Sequence, residues 1–191
     1  MKKQTNNRIL RIVIVGMLAA LCFVLSAYVS IKAGSMKFTF AGLPILLAAL
    51  LFGPVDGMLV GGIGEFLSQV IGYGLTPTTV LWIIPAVVRG LMVGLYAKAK
   101  KGNPGIVGSS VMIILSSLVV TLLNGLVIWA DAVIMGYYSF AYVFGSTGWR
   151  FLASLITAVL YCVVIIPLTA ALRKSGVAGL KKNPPNPVTE D

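Results

Sequence analysis

Histidine does not occur anywhere in the 191 residues. Its absence removes the commonest general base and the commonest metal ligand, so neither an HExxH zinc helix nor a serine–histidine pair can be assembled. Cysteine is almost as scarce. Cys22 and Cys162 are the two present, each within an apolar run and without CxxC spacing. They fit small buried hydrophobes and supply no metal site. Acids number five, with Asp56 expected at an exposed turn and Asp131 at the opposite end of the chain's spans, so no aspartate pair for intramembrane proteolysis forms. No GxxxxGK(S/T) stretch appears, and ATP cannot be held through a P-loop in this chain. These absences together argue against an enzyme, and no resident cofactor or metal is expected.

Charge of either sign is also rare. Charged residues make up 10% of the chain, against about 25% in ordinary soluble domains. Hydrophobic residues make up 58%, and the mean hydropathy is +0.98. A surface so poor in charge is not kept in water, so lipid is the expected solvent and an all-α membrane protein the expected class.

A membrane-spanning helix needs about 20 mostly apolar residues. Six candidate spans follow: Ile9–Ile31, Phe38–Phe52, Val55–Ile71, Val80–Ala97, Ile106–Ala130 and Trp149–Leu172. The first is too long for a signal-peptide core, and no A-x-A site follows it. Spans two and three are short, which fits a smaller tilt, a deeper start or packing inside the protein. "FGPVDG" between them reads as a tight turn, because Pro54 cannot continue a helix and Gly53 and Gly57 flank it. Residues 1–175 are expected to form the six-helix bundle. Residues 176–191, polar and proline-rich, read as a disordered cytoplasmic tail.

The cations order this bundle. Lys2, Lys3, Arg8 and Arg11 precede or open span one; Lys98, Lys100 and Lys101 follow span four; Arg173, Lys174, Lys181 and Lys182 follow span six. With six spans, eleven of the fifteen cations share one face, and the positive-inside rule sets both termini in the cytoplasm. A five-span path would split these clusters. The net charge of +10 is thereby accounted for as orientation, with no nucleic-acid partner required. Lys32, Lys37 and Arg150 fall outside.

Ionisable groups within spans are costly and face the bundle interior or water. Glu65 and Arg89 sit at similar depths in spans three and four, as an interhelical ion pair or as ligand contacts. An arginine suits a carboxylate through two hydrogen bonds. Asn124 in span five must find a partner on a helix or on a ligand. Trp82 and Trp129 read as interface anchors or binding residues. The loop Asp131–Gly148 carries Tyr137, Tyr138, Phe140, Tyr142 and Phe144, an interfacial belt or a wall over a ligand. Small residues four apart, Gly16 and Ala20, Gly57 and Gly61, Gly90 and Gly94, allow close helix approach within the bundle or, on span one, docking against another membrane protein.

"FTFAGLPILLAALLFGPVDGMLVGGIGEFLSQ" (Phe38–Gln69), "AVVRGLMVGL" (Ala86–Leu95) and "GMLAALCFVLS" (Gly16–Ser26) together resemble the substrate-binding S components of energy-coupling factor (ECF) vitamin transporters, most nearly the folate-type group. Glu65 stands where that group more usually has aspartate, and Gly16-xxx-Ala20 replaces its AxxxA docking face. The resemblance implies six helices and an outward pocket closed by the loops after spans one, three and five. It implies a membrane coupling subunit and two ATPase subunits that use the ATP, in a bacterial plasma membrane. On docking, the S component would topple in the bilayer and release its vitamin inside. Gly16, Ala19 and Ala20 are the expected docking residues. The expected binding set is Arg89, Glu65, Asn124, Lys37, Trp129 and Tyr138. Folate or another carboxylate-bearing vitamin such as pantothenate is the first expectation, with riboflavin or a pyrimidine precursor as alternatives. A stand-alone secondary transporter would need repeats and ionisable coupling groups, neither of which appears.

Overall fold

The computed structural model describes residues 2–33, 36–101, 104–145 and 147–174; the polar tail lies outside the described residues. The order is α1 (Lys2–Ala27), β1 (Ser30–Ala33), β2 (Met36–Thr39), α2 (Gly42–Phe52), α3 (Pro54–Tyr73), α4 (Thr79–Ala99), α5 (Ile106–Ile134), α6 (Phe140–Phe144) and α7 (Thr147–Lys174). Six helices longer than ten residues form the bundle, and α6 is a single extra turn. Among the described residues, four stretches are long and apolar enough to cross a membrane: Ile9–Ala27, Thr79–Ala99, Ile106–Ile134 and Phe140–Lys174. α2 is too short for this, and α3 carries Asp56, Glu65, Ser68 and Gln69.

One element differs from the sequence expectation. Ile31 and Phe38, read there as span ends, lie in an antiparallel hairpin with Ser30 opposite Thr39 and Ala33 opposite Met36. The apolar run continues without a break from strand into helix, so hydropathy alone sees no boundary.

α2 is the centre. Eight of its eleven residues are buried, and it packs against α1, α3, α4 and α7. A helix that is apolar on every side belongs inside protein. Its end follows from Gly53, whose φ of 100° suits glycine best, and from Pro54, which needs no N–H partner in the first turn of α3. The turn is not exposed as expected. Asp56 is 7% exposed and accepts hydrogen bonds from Arg11 Nε at 2.9 Å and from Arg11 Nη2. Arg11 Nη2 also donates to the Phe52 carbonyl at 3.0 Å. The cation thus caps the end of α2 and neutralises the acid that opens α3.

α3 and α4 lie almost backbone to backbone. A Cβ on Gly90 would stand 2.3 Å from the Gly57 carbonyl carbon, one on Gly94 2.3 Å from Pro54 Cα, and one on Gly61 2.7 Å from the Ala86 oxygen. The glycines four apart in α3 and α4 are therefore a packing seam inside the bundle.

The first and last helices both reach the end of α2. Arg11 reaches it from α1, and Arg173 Nη2 in α7 donates to the Leu50 carbonyl at 2.9 Å. The start of α5 lies beside Leu50 and Arg173 as well. Basic residues from the start of α1, the end of α4 and the end of α7 thus gather at one end of the bundle. The hairpin, the α3–α4 loop and the α6 segment gather at the other.

Candidate functional site

At the hairpin end, α2, α3, α4, α5 and α7 surround a cavity of about 560 Å³. Each helix contributes one stripe at helical spacing. α5 presents Ser117, Thr121, Asn124, Ile128 and Asp131; α7 presents Arg150, Ser154, Thr157 and Tyr161; α4 presents Trp82, Pro85 and Arg89, with Thr78 just before it; α3 presents Glu65, Gln69 and Tyr73. From Arg150 to Tyr161 the α7 stripe descends about 16 Å at 1.5 Å per residue. Polar residues thus line the interior of a chain that is apolar elsewhere, and the volume suits a vitamin-sized molecule.

Arg89 lies low in this cavity. Its guanidinium carbon is 5.5 Å from the centre of the Tyr161 ring, a cation–π contact. Gly42 makes room for it, since a Cβ there would be 2.3 Å from Arg89 Nη1. Arg89 Nε is buried and has no hydrogen-bond partner among the described residues, and the same holds for Ser117 Oγ. A buried donor left in that state costs about 1–3 kcal/mol, so the cavity is short of acceptors at its floor.

Glu65 does not pair with Arg89. Its oxygens accept hydrogen bonds from Ser26 Oγ at 2.9 Å and Gln69 Nε2 at 3.1 Å, and Ser68 Oγ donates to Ser26 Oγ at 3.0 Å. The reason is azimuthal. Glu65 turns toward α1, where Ser26 donates to it, whereas Arg89 turns toward Gly42 of α2 and Tyr161 of α7. Among the described residues, the ion pair is Arg11–Asp56.

The mouth is built by the α5–α6 connection. Gly136, at φ 78°, turns the chain after α5. Val143 tucks against Ile128, Ala132 and Trp82. The Tyr137 hydroxyl donates to the Asp131 carboxylate, and its ring meets Tyr142 edge-on at 5.7 Å. Burial, with help from the Asp131 hydrogen bond, pushes the Tyr137 phenol above the ordinary tyrosine range.

Three of the six residues expected to bind, Arg89, Glu65 and Asn124, line the cavity. Trp129 and Tyr138 do not; they are 46% and 48% exposed and face away. Trp82 of α4 and Tyr137 of the α5–α6 connection stand in the lining instead. The Lys37 side chain lies outside the described residues. Of the expected docking residues, Gly16 and Ala20 are on the open face of α1, while Ala19 is 3% exposed. Ala19 packs against Gly64 of α3, whose Cβ would be 3.1 Å from the Ala19 oxygen, and is removed from that face. Sequence reasoning missed Ser117, Thr121, Ser154, Thr157 and Tyr161. The signal for them was a three-to-four-residue polar period inside spans five and six.

Residues 6–174 match the family model described as the ECF-type riboflavin transporter, S component. A UPF0397 protein of Lactobacillus gasseri is 33% identical over 100 residues, 50% of this chain and 52% of that protein. An uncharacterised protein of Pyrococcus woesei is 31% identical over 121 residues, 63% of this chain and 69% of that protein. The chain spans about half the length of the Lactobacillus relative. Among solved structures, the S component of a bacterial ECF transporter superposes with a TM-score of 0.65 at 18% identity, over 85% of this chain and 97% of that one. FolT bound with folic acid superposes with a TM-score of 0.61 at 19% identity, over 84% and 94%. At such identities the likeness concerns the fold.

Proposed function

The chain belongs to the ECF-type riboflavin transporter S component family, a family of transporter subunits rather than enzymes, and on that premise we propose that it captures a carboxylate-bearing vitamin for ATP-driven uptake. The cavity at the hairpin end is the capture site. The observation that carries this reading is Arg89, a guanidinium at the cavity floor with a buried, unpartnered Nε and no acid in ion-pair contact among the described residues. A substrate carboxylate supplies the missing acceptors. Arg150, near the mouth, adds to the attraction of an anion. Glu65, already accepting two hydrogen bonds, is placed to accept a third from an amino or amide group. Folate carries both kinds of group, and FolT, a structural relative, binds folic acid. Pantothenate is the smaller candidate.

The clustered cations at the opposite end favour a cytoplasmic setting for both termini, in a bacterial plasma membrane. The exposed face of α1, with Ile12, Val13 and Met17 around Gly16 and Ala20, is the surface for a membrane coupling subunit served by two ATPases. A second reading, riboflavin, is favoured by Trp82, Tyr73, Tyr137 and Tyr142 in the lining, which suit a flat ring.

Mass spectrometry of small molecules released from the detergent-purified chain tests the proposal. Recovery of folate or pantothenate supports it, and recovery of riboflavin alone replaces it with the second reading.

A further inference from the structure

Tyr161 is buried to 2% exposure, yet its two ends meet different parts of the molecule. Its ring lies beneath the Arg89 guanidinium. Its hydroxyl donates at 2.9 Å to the carbonyl of Thr39, the last residue of the hairpin. A phenylalanine would fill the same volume; the hydroxyl is spent on the hairpin root.

Thr39 is itself a junction. Its hydroxyl donates to the Leu25 carbonyl at 3.2 Å, in the last turns of α1, and accepts the Ala41 N–H at 3.0 Å, at the entry to α2. Gly42 completes the arrangement. A Cβ there would stand 2.7 Å from Tyr161 Cε2 and 2.3 Å from Arg89 Nη1, so ring and guanidinium both require a bare backbone at this point. Arg89, Tyr161, Gly42 and Thr39 form one packed column from the cavity floor to the root of the hairpin.

We propose that Tyr161 is a positioning residue that ties the anion-binding cation to the hairpin root. This rests on the reading that Arg89 meets a substrate anion. An anion on the open side of Arg89 fixes the guanidinium against the ring. The fixed ring holds the Thr39 carbonyl through its hydroxyl. Occupancy and hairpin order are then linked, and by reciprocity a loosened hairpin root weakens anion binding.

Hydrogen exchange of the full chain in detergent micelles, read at the amides of β2 and Ala41, tests the tie. Without any vitamin present, Tyr161→Phe accelerates exchange there about five- to tenfold, as expected for one lost hydrogen bond, while amides in the middle of α2 and α4 exchange at the wild-type rate. Arg89→Ala accelerates the same amides, and the two substitutions together add less than the sum of their separate effects, because both act through one ring. Folic acid or pantothenate slows exchange at these amides in the wild type and fails to do so in Tyr161→Phe, from which the vitamin dissociates faster. Wild-type exchange at β2 in Tyr161→Phe, or fully additive effects of the two substitutions, overturns the proposal. If neither vitamin alters the wild type, the carboxylate-vitamin reading fails, while the vitamin-free arms still decide the role of Tyr161.

Discussion

Replacing Arg89 with alanine tests the charge on which, in the reading proposed above, substrate selection depends. A hydrogen bond to a charged group contributes about 1.5–3 kcal/mol. A guanidinium can make two, but the Arg89 side chain is only half-buried in a cavity open at its mouth, so water attenuates the pair and one bond's worth is the sound figure. That loss corresponds to about 10- to 150-fold in Kd. The substitution also removes the cation above Tyr161, which would weaken any ligand, so the comparison must be made within a matched set. Isothermal titration of pantothenate and of its uncharged alcohol separates the two effects. Arg89→Ala is expected to weaken the carboxylate by the stated factor and the alcohol by less than about threefold. Arg89→Lys, which keeps the charge and loses the planar fork, falls between. Equal losses for the acid and the alcohol would refute the assignment and make Arg89 a packing residue.

Two other outcomes follow from the two ends of the bundle. Arg11→Ala leaves Asp56, 7% exposed, without its partner. With Arg11 itself half-exposed the cost is about 1–2 kcal/mol, read as a lower melting temperature in detergent, and adding Asp56→Ala restores part of it. At the mouth, Tyr137 is held above the ordinary tyrosine range. The folded-state value is raised, so the stabilisation from its contact with Asp131 is complete below about pH 10 and is lost only as pH rises through the raised value. An ultraviolet titration should show a late-ionising phenol that is lost in Tyr137→Phe and shifted down in Asp131→Asn.

The helices were legible because lipid as solvent demands long apolar runs, and those runs are plain in the sequence. The grouping of basic residues at one end was legible for the same reason, since orientation is written in loop charge. The hairpin at Ser30–Thr39 was not. Its strands are four residues each, too short for alternation to stand out against adjoining helix. Asp56 was misjudged as exposed because a turn acid is usually solvated, and nothing local announces that Arg11, 45 positions away, comes to meet it. Within the cavity, Arg89, Glu65 and Asn124 were visible as isolated polar groups in apolar surroundings. Ser117, Thr121, Ser154 and Thr157 were not, because single hydroxyls in a span often satisfy themselves on the preceding turn, as Thr121 does at 2.8 Å to the Ser117 carbonyl. Whether Trp82 of α4 or Trp129 of α5 turns inward depends on the azimuth of each helix, set by neighbours that a single chain's sequence does not reveal.

The shortness of α2 bears on how the polypeptide is made. Its 11 residues reach about 16 Å, roughly half of a hydrocarbon layer about 30 Å thick. During synthesis such a segment has no stable resting place in the bilayer by itself. It must wait for α3 and enter with it as a joined pair, hinged at Gly53–Pro54. A nascent chain halted after Phe52 is therefore expected to remain at the insertion machinery, with its N-terminal helix threaded and its future centre still outside.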